Sequence, residues 1–243
     1  MRLALISALG ATLFLWPFAG AGVPPFAPAL TLALAGLGAL VLLEAGTRRL
    51  DTRALALLAT IAAVDAGLRL AVVTGVGGFS PVFFLILCGG YVFGASFGFL
   101  CGSLALIVSA LATGGVGPWL PYQLFAAGWV GVAAGMLPRP GGMVRVRHLL
   151  PLALVAAAAG FGFGLVMDTW DWTAFYRGAP DFGWTPGLAP LSAAARFMRF
   201  YVATSLAYDS LRAAGNVLLI LLLGPPVINA LVRVRARMSF EIV

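Results

Sequence analysis

Charged and hydrogen-bonding side chains are scarce in this chain, and the few that fall inside apolar runs are those whose spacing could do chemistry. Asp65 and Arg69 are four residues apart within the run 54–74, so on a helix they share one face. Asp209, Arg212 and Asn216 repeat that pattern, at intervals of three and four, within the run 201–223. An arginine near the middle of a membrane costs about 3 kcal/mol or more unless it is paired or hydrated. Arg212 therefore calls for a carboxylate, and Asp209 and Asp65 are the candidates. Asp168 and Trp170 stand at the head of the one long polar connection, 168–200, while Trp119, Tyr122 and Gln123 follow a Gly/Pro loop at 114–118. Inside a membrane such groups serve either as locks between helices or as walls of a polar pocket.

Other chemistries find little support. The chain has no lysine, so it carries no phosphate-loop lysine and no ATPase of that kind. Cys88, Cys101 and His148 have no carboxylate beside them, so no metal-ligand spacing exists and neither a metal nor a cofactor is expected. An intramembrane enzyme would have to draw its acids from Asp65, Asp168, Asp171 and Asp209. A proton-coupled permease would use the same residues, above all Asp65 and Asp209, but no inverted repeat is visible. A purely structural membrane partner is the third alternative.

The elements that must position these residues are membrane helices. Of 243 residues, 62% are hydrophobic and 9% charged, which places the chain among all-α polytopic membrane proteins without a soluble domain. From Ser80 to Leu137 there is no ionisable Asp, Glu, Lys, Arg or His. Gly and Pro punctuation divides the chain into about eight transmembrane spans: 1–22, 27–45, 54–74, 79–93, 97–113 after a tight turn at 94–96, 121–138, 149–167 and 201–223. The first two read as anchored helices in preference to a cleaved leader. The net charge of +7 suggests nucleic acid at first sight, but the arginines flank the apolar spans, as in cytoplasmic loops, and no nucleic acid is expected. Grouping Arg2, Arg48, Arg49, Arg53, the 139–147 cluster and the 233–237 cluster on one side gives a multi-pass protein of the cell membrane with both chain ends inside. The loops 74–80, 114–118 and 168–200 then share the outer face. In the last of these, Trp170, Trp172, Trp184 and Tyr176 argue against disorder. That loop is expected to lie on the membrane interface and to cover a ligand, with a short amphipathic helix at 193–200.

On the third span Ala59, Ala63 and Gly67 recur every four residues, a smooth stripe that suits either internal packing or the backbone of a partner helix.

The segment FSPVFFLILCGGYVFG, then the small-residue helix after it, then TGGVGPWLPYQLFAAGWVGVAAG, resembles the substrate-binding S component of energy-coupling factor (ECF) vitamin transporters. The resemblance runs from about Leu55 to the C-terminus. It is strongest at Gly117-Pro118-Trp119-Leu120-Pro121-Tyr122-Gln123 and at Asp209-Ser-Leu-Arg212-Ala-Ala-Gly215-Asn216. It implies a six-helix substrate-binding membrane domain at 51–243, preceded by two additional helices at 1–50. Such a domain is a transporter subunit without its own ATPase site. It captures a vitamin or related micronutrient from outside and depends on a coupling transmembrane protein and two ABC ATPases in the membrane lipid. Carried onto this chain, Ala59 and Ala63 would meet the coupling subunit. The ligand would be held by Asp65, Arg69, Trp119, Tyr122, Gln123, Asp168, Trp170, Asp209, Arg212 and Asn216. The aromatic outer loop and the self-pairing charges lead to the expectation of a largely neutral, ring-bearing ligand, with a corrinoid such as cobalamin as first choice.

Overall fold

A computed structural model describes residues 1–19, 22–47, 50–71 and 81–239. Among these residues there are nine α-helices and no β-strand: α1 Arg2–Leu15, α2 Phe26–Gly46, α3 Thr52–Ala71, α4 Val82–Phe93, α5 Ala95–Thr113, α6 Leu120–Gly135, α7 Leu150–Ala174, α8 Pro190–Thr204 and α9 Leu206–Ser239. Short 3-10 turns extend α1 over Trp16–Ala19 and precede α7 over Val146–Leu149. Five of these segments are long and apolar enough to cross a membrane, and α4 is a shorter apolar helix. The chain is therefore an all-α polytopic membrane protein.

Helix ends fall where backbone chemistry requires them. Gly94 alone separates α4 from α5, at φ +95°, a conformation that side-chain-bearing residues rarely adopt, and the Arg139 guanidinium lies where a Cβ would project. Gly114 closes α5 in the left-handed conformation, with the Gly115 amide donating to the Ala110 carbonyl at 2.9 Å.

Packing depends on small residues, because lipid supplies no hydrophobic drive between helices. Gly90 of α4, Gly98 of α5 and Gly131 of α6 meet backbone to backbone, so three helices touch at one point where no Cβ fits. One turn along, Ser103 of α5 donates to the Leu124 carbonyl of α6 at 3.0 Å. Around this centre α3 and α4 pack on α5, α6 meets α7, and α7 pairs with α9. The α1–α2 hairpin joins the same apolar core through Phe14, Ala33 and Leu40.

The two ends of the bundle differ in chemistry. At one, Arg2 donates to the Leu43 carbonyl and Thr47, Arg139 covers Gly94, and Arg235 reaches the Val92 and Pro140 carbonyls. At the other lie Phe18, Trp172, Trp184 and α8. We refer to these as the arginine end and the aromatic end.

Three boundaries depart from the sequence expectation. Helix α7 does not stop at Met167 but continues to Ala174, so Asp168 and Trp170 are helical residues and the polar connection starts after them. Thr169 and Thr173 satisfy their hydroxyls on the carbonyls of Val166 and Thr169, which lets polar residues continue the helix. Tyr201 does not open the final span. It belongs to α8, which is longer than the expected 193–200, and the chain breaks at Ser205, whose hydroxyl is drawn to Asp168 at 2.8 Å. Finally, α9 runs through Pro225 and Pro226 instead of ending at Leu223. Tertiary contacts hold it on both sides of the prolines: Ile220 and Ile228 are buried, and Asn229 both accepts from the Val144 amide (2.7 Å) and donates to its carbonyl (3.0 Å).

Candidate functional site at the aromatic end

Helices α6 and α7 leave a cavity of about 260 Å³ at the aromatic end. Trp119 and Gln123 form its α6 wall, while Phe163, Met167, Trp170 and Asp171 project from successive turns of α7, with Phe175 at the rim. Trp119 is fixed by its indole N–H, which donates to the Gly115 carbonyl at 3.2 Å. Tyr122 is buried behind the cavity, its ring 5.4 Å from that of Trp170 and 5.0 Å from Phe14 of α1. The Tyr122 hydroxyl and the Trp170 indole N–H are both buried with no hydrogen-bond partner, and so is one oxygen of Asp168. Unsatisfied buried polar atoms of this kind are costly, and groups held ready for a ligand are one reason they persist.

Beside the cavity, α7, α8 and α9 are tied by charge. Arg212 pairs with Asp209, donates to the Gly160 carbonyl at 3.2 Å and stacks over Phe163 at 5.4 Å. Tyr201 donates to the other Asp209 oxygen at 3.1 Å, and Ser205 to Asp168 at 2.8 Å. The backbone of Gly164 lies against the Asp209 carboxylate with no room for a side chain. Asn216 donates to the Ala156 carbonyl at 3.3 Å. Of the two partners the sequence allowed for Arg212, Asp209 is the one found. Asp209, Arg212 and Asn216 thus lock α9 to α7, and Phe163 joins that lock to the cavity wall.

Trp119, Gln123 and Trp170 therefore share a cavity, with Tyr122 directly behind and Asp168 adjoining the lock. Asp65 and Arg69 lie elsewhere, on α3, which packs on α5 and α4. They do not neutralise each other by a hydrogen-bonded pair: Arg69 donates to Ser109 of α5 at 2.9 Å, and both Asp65 oxygens are buried without a partner. On the other face of α3, Ala59, Ala63 and Gly67 are exposed, and no described residue comes within 4 Å of a Cβ placed on Gly67. Among the described residues nothing packs over that stripe.

Phe163, Met167, Asp171 and Phe175 were not foreseen at the site. Their four-residue spacing was visible in the sequence, but it belongs to one face only once α7 is continued past Met167. Tyr201 and Ser205 carried no signal, since their roles depend on the α8–α9 break.

The outer connection is ordered by its own aromatics. Trp172, Trp184 and Phe200 form a small separate core with Tyr176, Phe182 and Phe197 packed on it. The Trp172 indole donates to the Phe182 carbonyl, Arg196 donates to Gly183, and Arg177 stacks over Trp184 at 5.5 Å. Further hollows among the described residues include an apolar groove of about 300 Å³ between α6 and α7, sharing Phe163 with the cavity, a polar one of about 600 Å³ at the arginine end, lined by Glu44, Ser96 and Arg139 among others, and an apolar one of about 430 Å³ between α7 and α9. The second is larger but lies far from the unsatisfied groups. No family model matches the chain, and no curated protein and no solved structure matches it.

Proposed function

We propose that this protein is the membrane-embedded substrate-binding subunit of an ECF-type importer. It captures a vitamin or related micronutrient at the aromatic end and relies on a coupling membrane protein and two ABC ATPases for energy. The observation that carries this reading is the set of buried, partnerless polar atoms on Tyr122, Trp170 and Asp168 around an aromatic cavity. A solute in the cavity would give the Trp170 indole a partner, with Tyr122 and Asp168 just behind and beside it, and would meet aromatic rings together with a few polar groups, the usual make-up of a small-molecule site. The exposed Ala59–Ala63–Gly67 stripe supports the coupling half of the reading, because close helix contact in lipid needs small residues with nothing already against them. Arginine counting puts the aromatic end outside and both chain ends in the cytoplasm. A cavity of about 260 Å³ suits a ligand of one or two rings and is too small for a corrinoid.

The test is a micronutrient panel read by thermal stabilisation and tryptophan quenching of purified protein, since a ligand that binds only the folded state raises its stability. Trp119→Ala should reduce any response. A panel in which none binds would sink the reading. The partnerless Asp65 favours one competitor, a proton-coupled permease. Asp209 is already held by Arg212 and Tyr201, so that competitor would rest on Asp65 alone, and solute uptake by the chain by itself in vesicles carrying a proton gradient would favour it.

A further inference from the structure

Resting on that reading of the site, we propose that the cavity at the aromatic end recognises an organic cation, a methylated ammonium or a positively charged heteroaromatic ring. The sequence suggested a largely neutral ligand because the charges were expected to neutralise one another. They do so only in part. Arg212 is the guanidinium close to the cavity, and it is taken by Asp209. Arg177 is stacked on Trp184 and Arg196 is bound to the Gly183 carbonyl, both in the separate aromatic core of the outer connection. Asp171 lines the cavity itself, and Asp168 lies within electrostatic reach of Asp171, Asp209 and Arg212. Asp168 and Asp209 thus share one guanidinium, with Asp171 beside them on the cavity wall. One oxygen of Asp168, a residue only 5% exposed, has no hydrogen-bond partner at all. A carboxylate held this way is costly as an anion, and a cation bound beside it removes much of that cost.

The walls suit the same occupant. Trp119, Trp170, Phe163 and Phe175 present rings to the cavity, and Trp170 and Phe175 stand edge to face at 5.3 Å. The negative faces of aromatic rings attract organic cations, best from indole, and a carboxylate beside several rings is how methylated ammonium groups are recognised in water. Lysine-like ammonium groups keep their hydration more strongly and would be held less well in so apolar a place. Gln123 and the free indole N–H of Trp170 remain to bind a neutral polar group on the same ligand.

The test compares choline and N-methylpyridinium with uncharged isosteres, 3,3-dimethylbutan-1-ol and toluene, on the purified full chain in nanodiscs, with tryptophan quenching as the readout. The cations should bind at least about tenfold more tightly than their isosteres. Asp171→Asn should remove that difference, and Asp171→Glu should restore most of it while both variants melt as the parent does. Phe175→Leu, at the exposed rim, should weaken cation binding without touching the charge. Equal binding of cations and isosteres, or a preference unchanged in Asp171→Asn, would overturn the proposal. If neutral micronutrients stabilise the protein and no cation does, the cation assignment fails and the capture role stands; if nothing binds, both fail.

Discussion

Gly160 and Gly162 sit two residues apart on α7 and should respond to alanine in opposite ways. A Cβ on Gly160 would stand 2.6 Å from the Cα and 2.9 Å from the Cβ of Ala213 on α9, where ordinary contact needs 3.4–4 Å. Those Ala213 atoms are backbone or rigidly attached to it, so relief requires α7 and α9 to separate by roughly 1 Å. Overpacking of this kind costs about 1–3 kcal/mol. The same separation stretches two interhelical hydrogen bonds, Arg212 to Gly160 at 3.2 Å and Asn216 to Ala156 at 3.3 Å, each worth about 0.6 kcal/mol in a membrane. The total is about 2–4 kcal/mol. For a chain of this size it would lower the melting temperature by roughly 4–16 °C, at about 2–4 °C per kcal/mol. Gly162 has nothing within 4 Å, so alanine there gains up to about 1 kcal/mol of helix propensity without a clash. Thermal unfolding of the two variants in one detergent decides the matter. Equal melting temperatures, or Gly162→Ala as the weaker of the pair, would refute the α7–α9 packing and with it the lock beside the cavity.

The remaining predictions use the same logic of partners present or absent. Ala63→Leu should leave the melting temperature unchanged, because Ala63 is exposed, yet reduce co-purification with a coupling subunit; an unchanged yield of complex would remove the stripe from consideration. Asp209→Asn should cost about 3–5 kcal/mol by leaving Arg212 buried without its anion, and adding Arg212→Leu should recover part of that loss; a melting curve insensitive to both would mean that the pair is hydrated. Cysteines placed at the exposed positions Ser192 and Gly141 should be labelled by an impermeant reagent from opposite sides, Ser192 from outside. Labelling of both from one side would break the eight-span topology.

Composition and punctuation disclosed most of the fold, for a physical reason: in lipid a helix must be apolar along its length and must end at a residue that can turn. Gly94 and Gly114 end their helices where expected. What the sequence hid lies outside that regime. Past Met167 polarity no longer signals a helix end, because threonine hydroxyls can return to their own backbone, and the lining residue Asp171 and the rim residue Phe175 were missed for that reason. Pro225-Pro226 reads as a terminator locally, but Ile228 and Asn229 beyond it are anchored in the bundle. The site was legible by residue type at Trp119, Tyr122, Gln123 and Trp170. Asp65 and Arg69 were grouped with them only because intramembrane charge is rare; their helix packs on a different neighbour.

The α1–α2 hairpin, which the family resemblance does not require, is tied to the bundle at both ends. Toward the aromatic end Phe14 packs on Tyr122, and beyond it Phe18 reaches Trp172 at 6.4 Å and Trp184 at 5.9 Å. One helix thus touches both the back wall of the cavity and the aromatic core of the connection beside it. Midway, Trp129 of α6 donates to Ser7 at 3.1 Å, and Gly10 leaves room for the Phe125 ring. At the arginine end the buried Glu44 of α2 accepts from Ser96 in the first turn of α5 at 3.3 Å, beside the Gly94 turn. These contacts lie along α5, α6 and α7 and do not cover the exposed small residues of α3. The hairpin can therefore brace both the back wall of the cavity and the aromatic core beside it while leaving the α3 stripe uncovered. Movement of that connection away from the hairpin must first release Phe18 from Trp184.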